Sequence, residues 1–277
     1  MPMARSRLSR PRLPRSRCTL TLGAALLVAA CARQPGPDAA PAPSGVAAPV
    51  TSTSELVARM RARYDGKWYR TLSFVQNNTL YRADGGAEKS QWMEYLAVPS
   101  RLRIDYLTQG NRSGLLVSDN TFYAFDNGKQ VSTVRRVHPL LLLSADVYAL
   151  PPEVTLRRVD SLGIDTTAFR RAEWQGRSAY VVGAAAGDTT SSQFWVNADS
   201  LLVVRVIETR TAGPRTLSTD YHFNRYTDVG GYPVAMEVVM HRDGRPVFRE
   251  EYADVKVNVD VPEALFDTSR WASGPTP

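Results

Sequence analysis

Two cysteines and three histidines are all that this 277-residue chain offers to thiol and imidazole chemistry. His138, His222 and His241 are widely spaced, and none stands in an H-x-x-x-H or His/Cys grouping. Structural and catalytic zinc sites need three or four such ligands at set spacings, so no metal is expected. The sequence also lacks a G-x-S-x-G elbow, a phosphate loop and a dinucleotide fingerprint. The common signatures of hydrolases, nucleotide enzymes and dehydrogenases are therefore missing, and neither a cofactor nor a catalytic residue is expected. Glu250 and Glu251 are neighbours, and strand neighbours point to opposite faces, so they cannot work together as paired carboxylates. Asp160 and Asp165 flank a turn and read as local caps.

Apolar length is short as well. The uncharged run Cys18–Ala30 has 13 residues, against about 20 for a membrane-spanning helix. Before it stand Arg5, Arg7, Arg10, Arg12, Arg15 and Arg17 with no acid between them. A basic start, a short apolar run and small residues at its end describe a secretory signal peptide over residues 1–30. Leu27-Val28-Ala29-Ala30-Cys31 resembles a bacterial lipobox. That resemblance implies cleavage before Cys31 and a lipid on its sulfur. Ala32, where inner-membrane retention would place aspartate, implies the outer membrane, with the domain on its periplasmic face. Two or more acyl chains hold firmly where one holds weakly.

The leader also carries the charge imbalance. The formal charge of the whole chain is +7, but without those six arginines 28 basic residues face 27 acidic ones. A basic footprint for nucleic acid is then absent, and no nucleic-acid partner is expected. Cys18 would leave with the leader and Cys31 would carry lipid, so the mature fold has no disulfide. Residues 31–51 are rich in proline and alanine, with Pro35, Pro37, Pro41, Pro43 and Pro49. They read as an extended, solvated tether.

The folded domain is expected over residues 52–270, with 271–277 as a tail. Ser52-x-x-Glu55 has the form of a capping box. Leu56, Val57, Met60 and Tyr64 then share one helical face, and Arg59, Arg61 and Arg63 read as a solvated one. Beyond Gly66 the pattern has period two. Turns at Asp84-Gly85-Gly86, Asn127-Gly128, Gln175-Gly176, Gly230-Gly231 and Asp243-Gly244 separate short apolar-alternating runs. Such hairpin signals imply an antiparallel sheet. We read about ten or eleven strands, interrupted between His138 and Gly163 by two short helical segments. His138-Pro139 reads as a helix start.

A sheet this long twists and curls. Its apolar face is expected to carry Leu102, Ile104, Tyr106, Leu202, Val204, Val206, Tyr221, Phe223, Val234, Met236 and Val238. Leu140, Leu141, Leu142 and Leu143 would cover it as a lid. The expected class is mainly β: a strongly curved, unclosed antiparallel β-barrel with an N-terminal helix and a central helical lid. If the helices fill the hollow incompletely, an apolar cavity remains, suited to acyl chains. If they fill it, the chain is a structural or assembly lipoprotein with no cargo. A third reading, an enzyme, would need carboxylates converging on His222 or His241 in a cleft. Arg101 and Arg103 share a strand face and are expected to be solvated or paired with acids.

The order of "VPSRLRIDY", "GLLVSDNTFYAFDNG", central helices, "QFWVNADSLLVVRV" and "DVKVNVDVPEALF" resembles the LolA/LolB-like superfamily of lipoprotein carriers and receptors. The resemblance runs from about Glu55 to Phe266. It implies an unclosed barrel with a helical lid and a hydrophobic cavity for a membrane lipid or lipoprotein. It also implies transport or sorting, and a monomer is expected. In the soluble carrier an arginine just before the proline of this strand helps hold the lid; here that position is Val98.

Overall fold

The structure, a computed structural model, describes residues 49–108, 112–212 and 215–273. The expected leader, Cys31 and most of the tether lie outside these residues.

Helix α1 (Thr53–Arg63) opens the domain. Ser52 caps it, its Oγ accepting from the Glu55 N–H at 3.2 Å. The reciprocal half of the capping box is not made: Glu55 Oε2 accepts from the Thr51 N–H at 2.9 Å instead. Leu56, Val57 and Met60 are wholly buried. Arg59 and Arg61 pair along the outer side with Glu55 and Asp65.

Six strands follow: β1 (Thr71–Tyr81), β2 (Ala87–Ala97), β3 (Arg101–Tyr106), β4 (Gly114–Ser118), β5 (Thr121–Asp126) and β6 (Lys129–Arg135). The chain then enters α2 (Pro139–Ser144), a 3₁₀ turn (Asp146–Tyr148) and α3 (Pro152–Ser161). Seven more strands complete it: β7 (Phe169–Trp174), β8 (Arg177–Val182), β9 (Gln193–Asn197), β10 (Val203–Ala212), β11 (Arg215–Val229), β12 (Tyr232–Arg242) and β13 (Arg245–Val257). The described residues thus hold thirteen strands, more than the ten or eleven read from the sequence, because even the shortest alternating runs pair as separate strands.

All thirteen form one antiparallel sheet in the order β6-β5-β4-β3-β2-β1-β13-β12-β11-β10-β9-β8-β7. Every neighbour in it is also a neighbour in sequence, except the central pair β1 and β13. The sheet is curved and unclosed, as expected, with β6 and β7 as its two free edges. Five of the hairpin turns, Asp119-Asn120, Asn127-Gly128, Gln175-Gly176, Gly230-Gly231 and Asp243-Gly244, have both central residues at positive φ. That is the type I′ geometry whose twist matches the flanking strands. Charged residues mark both edges, with Lys129 and Arg135 on β6 and Arg170, Arg171 and Glu173 on β7. Such charges discourage pairing with another chain.

The helices lie on the concave face and share one core with it. Leu142, Leu143, Val147 and Val159 are each no more than 1% exposed. Tyr148 ties this layer to β10: its hydroxyl donates to the Leu201 carbonyl at 3.3 Å and accepts from the Val203 N–H at 3.0 Å.

The packed chain extends past Arg270, where the sequence reading places the end of the domain. Trp271, in a 3₁₀ segment (Thr268–Ser273), is 2% exposed and stacks on Phe125 at 4.1 Å. Beneath it lies Arg103, itself 2% exposed. Its guanidinium sits 4.1 Å from the Trp271 ring and makes two 2.8 Å bonds to Asp105. Arg101 pairs with Glu263. Both arginines of this strand face are therefore paired with acids.

Candidate functional site

Between the concave sheet face and α2 lies a cavity of about 260 Å³. Its walls come from β1, β2, β3, β5, β10, β11, β12 and β13, and its roof from His138, Pro139, Leu140, Leu141 and Ser144. Of the residues expected on this wall, Leu102, Ile104, Tyr221, Phe223, Val234 and Val238 line it. Of the expected lid, Leu140 and Leu141 reach it. Leu142 and Leu143 are buried in the core behind them.

The remaining expected residues lie elsewhere. Tyr106, Leu202, Val206 and Met236 pack in or against the same core without lining the cavity. Val204 is on the opposite face, against Ala179, Val181 and Trp195. The cause is a register irregularity in β10 between Val203 and Arg205. Across it the strict alternation of Leu202, Val204 and Val206 breaks, and Val203 and Val206 both turn inward. A bulge of this kind shifts every side chain after it by one face.

Roof and wall are joined by a buried polar latch. Asp146, 2% exposed, accepts from the Ser100 N–H at 2.9 Å and from its hydroxyl at 3.1 Å. Arg158 on α3 donates to the Ser100 Oγ at 2.6 Å and stands 3.6 Å from Asp146. Desolvation raises Asp146 to about 6, against the lowering effect of the Ser100 bonds and Arg158. This contact falls two residues after Val98, at Ser100. His138 is the helix-entering residue expected, its Nδ1 accepting from the Leu141 N–H at 3.1 Å. Burial lowers it to about 4, leaving the ring neutral as an acceptor.

The cavity is not purely apolar. Glu94, Glu250 and Gln76 line it, each less than a tenth exposed. At one side stands Glu208, bonded by Arg210 Nε at 2.6 Å and 3.7 Å from Arg136. The sequence reading missed Glu94, Gln76 and the role of Glu250, though a signal was present. Period two from Trp92 and Leu96 places Glu94 on the inward face, and period two from Phe74 does the same for Gln76 and Asn78.

His222 and His241 do not reach the cavity. Their rings lie tilted by 31° with centroids 4.2 Å apart, beside Asp220, which Arg205 holds by two bonds of 2.8–2.9 Å. Among the described residues no three His, Cys, Asp or Glu side chains gather as a metal site.

Solved structures share this helix-roofed half-barrel fold. A domain from Vibrio parahaemolyticus, described as outer membrane lipoprotein-sorting, matches with a TM-score of 0.54 and 11% identity. The match covers 79% of this chain and 97% of that one. A DUF1329 family protein from Desulfovibrio piger matches with a TM-score of 0.52 and 14% identity, over 79% of this chain and 97% of its own. A LolA superfamily protein from Nitrosomonas europaea aligns over 79% of this chain and 98% of its own, at a TM-score of 0.49 and 11% identity. The likeness is one of fold. No protein-family model matches the sequence, and no curated protein matches it.

Proposed function

We propose that this chain is an outer-membrane lipoprotein, anchored through Cys31 on the periplasmic side, that binds acyl chains of a lipid or lipoprotein for transport or sorting. The observation carrying this reading is the roofed cavity of about 260 Å³ walled largely by Leu, Ile, Val and aromatic side chains. Ligand cavities commonly run from about 300 Å³ upward, so with the roof in this position the space suits one short alkyl segment. A whole fatty tail requires α2 to move. The sorting-type fold of the solved structures supports the same reading. The driving force needs no catalytic group: each buried CH₂ contributes about 0.8 kcal/mol. The cavity favours this over a filled-core structural role.

The test uses the domain produced from residue 49 onward, extracted with organic solvent and examined by mass spectrometry, together with displacement of a fluorescent fatty-acid probe. Co-purified lipid and saturable displacement are expected. Leu140→Arg, which places charge on the half-buried cavity side of α2, should abolish probe uptake with little change in melting temperature. An extract free of lipid and no probe uptake would refute binding. Anchoring is tested separately, by labelled palmitate entering the full chain and not its Cys31→Ala variant.

A further inference from the structure

Glu94 on β2 and Glu250 on β13 flank the central strand β1, opposite Phe74 and Asn78 respectively. Both line the cavity, at 6% and 7% exposure. Among the described residues Glu94 has no hydrogen-bond or ion-pair partner. Glu250 accepts one bond, from the Tyr252 hydroxyl at 3.0 Å. Gln76 donates one amide N–H to Asn78 Oδ1 at 2.8 Å and lines the same cavity. The cations that line the cavity, Arg136 and Arg210, are engaged by Glu208. The phenols of Tyr106, Tyr221 and Tyr252 face the two acids, and His138 and Glu208 line the same cavity as well. Burial holds these phenols neutral, as it does the His138 ring.

An apolar hollow therefore carries a patch rich in acceptors and poor in positive charge. Buried carboxylates without a counter-charge are costly. The group that complements them is a primary ammonium, with three donors and one positive charge.

We propose that Glu94 and Glu250, with Gln76, form a subsite for the protonated amine of an amphiphile whose alkyl part fills the rest of the cavity. This rests on the binding reading above and specifies its ligand. Without a cation, burial raises Glu250 to about 7 against the lowering effect of the Tyr252 bond, and burial together with the Glu250 charge raises Glu94 well above the usual carboxylate range. An arriving ammonium favours the ionised form, so a carboxyl proton leaves to solvent as the ion pair forms. Amine binding thus releases a proton, and binding of an alcohol does not.

The experiment titrates the domain with decylamine, 1-decanol and decanoate by calorimetry near pH 6.5. Phosphate and bis-Tris serve as buffers of unlike ionisation enthalpy. Decylamine should bind about tenfold or more tighter than the other two, with a buffer-dependent heat that reports proton release. The Glu94→Gln/Glu250→Gln variant should lose both the preference and the release while keeping its affinity for decanol. Where that variant melts without a cooperative transition, Glu94→Gln alone replaces it. Equal binding of all three ligands would overturn the amine subsite and leave the acyl-binding reading standing. A preference that persists in the variant would also overturn it. Binding of none would refute both.

Discussion

Asp146 shows how much one buried carboxyl can set. Its carboxyl is held up at about 6 mainly because burial penalises the charge. An acid whose folded value lies above its unfolded value keeps its proton more tightly in the fold. Its contribution to stability is therefore best at low pH and is lost as pH rises from about 4 to about 6. The full span is about 3 kcal/mol. Asp146→Asn should therefore melt higher than the wild type at pH 8 and equally at pH 4, as read by thermal denaturation at both. At the other end of the chain, Trp271→Ala should cost about 3–5 kcal/mol, because it uncovers Phe125 and Arg103 together. Gly114 belongs to the same contact: a Cβ there would lie 2.9 Å from the Trp271 ring and 2.1 Å from the Ile104 carbonyl oxygen. The sequence made the apolar residues of this site legible and hid the polar ones. Leu102, Ile104, Phe223 and Val238 follow from alternation alone. Glu94 follows the same alternation, but its carboxyl argues for solvent until the fold shows that strand facing a closed hollow. Trp271 read as tail because no pattern within seven residues can announce a partner as distant as Phe125.

At the scale of elements, the hairpins were the most legible part. Asn-Gly, Gln-Gly and Asp-Gly turns set both the pairing and the register of their strands. The bulge in β10 was not legible, since nothing in Leu202–Val206 distinguishes a broken alternation from a regular one. The roof was legible as helical from Pro139 and the leucine run, yet its attachment was not, because Ser100 and Asp146 are 46 residues apart. Their contact predicts how the roof moves. Ser100→Ala removes the hydroxyl that bonds Asp146 and Arg158. Amide exchange should quicken in α2 and α3 with no change in β1, β2 and β13, as hydrogen-exchange mass spectrometry would report. Uniform loss of protection would instead show that roof and sheet open as one unit.

For the whole molecule, the order of the sheet matters most. Strands β1 to β6 and β7 to β13 are two meanders, each built from sequence-local pairs, and they meet only at β1 and β13. Local pairing of this kind forms readily, whereas the central seam joins strands at opposite ends of the domain and carries the larger loop-closure cost. Val75, opposite Ala253 in that seam, is thus a sensitive position. Val75→Pro removes a backbone donor between the halves. It should abolish cooperative melting of the whole domain, while proline at the exposed edge position Val131 should leave melting nearly unchanged.

The same order gives the roof a mechanical property. Because β6 and β7 are the sheet's outer margins and the helical stretch between them is one uninterrupted piece of chain, that stretch relates to the sheet as a string to a bow. Flattening the bow draws the string taut across the hollow, and bending it gives slack. Sheet curvature and the tension of the roof are accordingly linked through a single coordinate, the distance between the two margins.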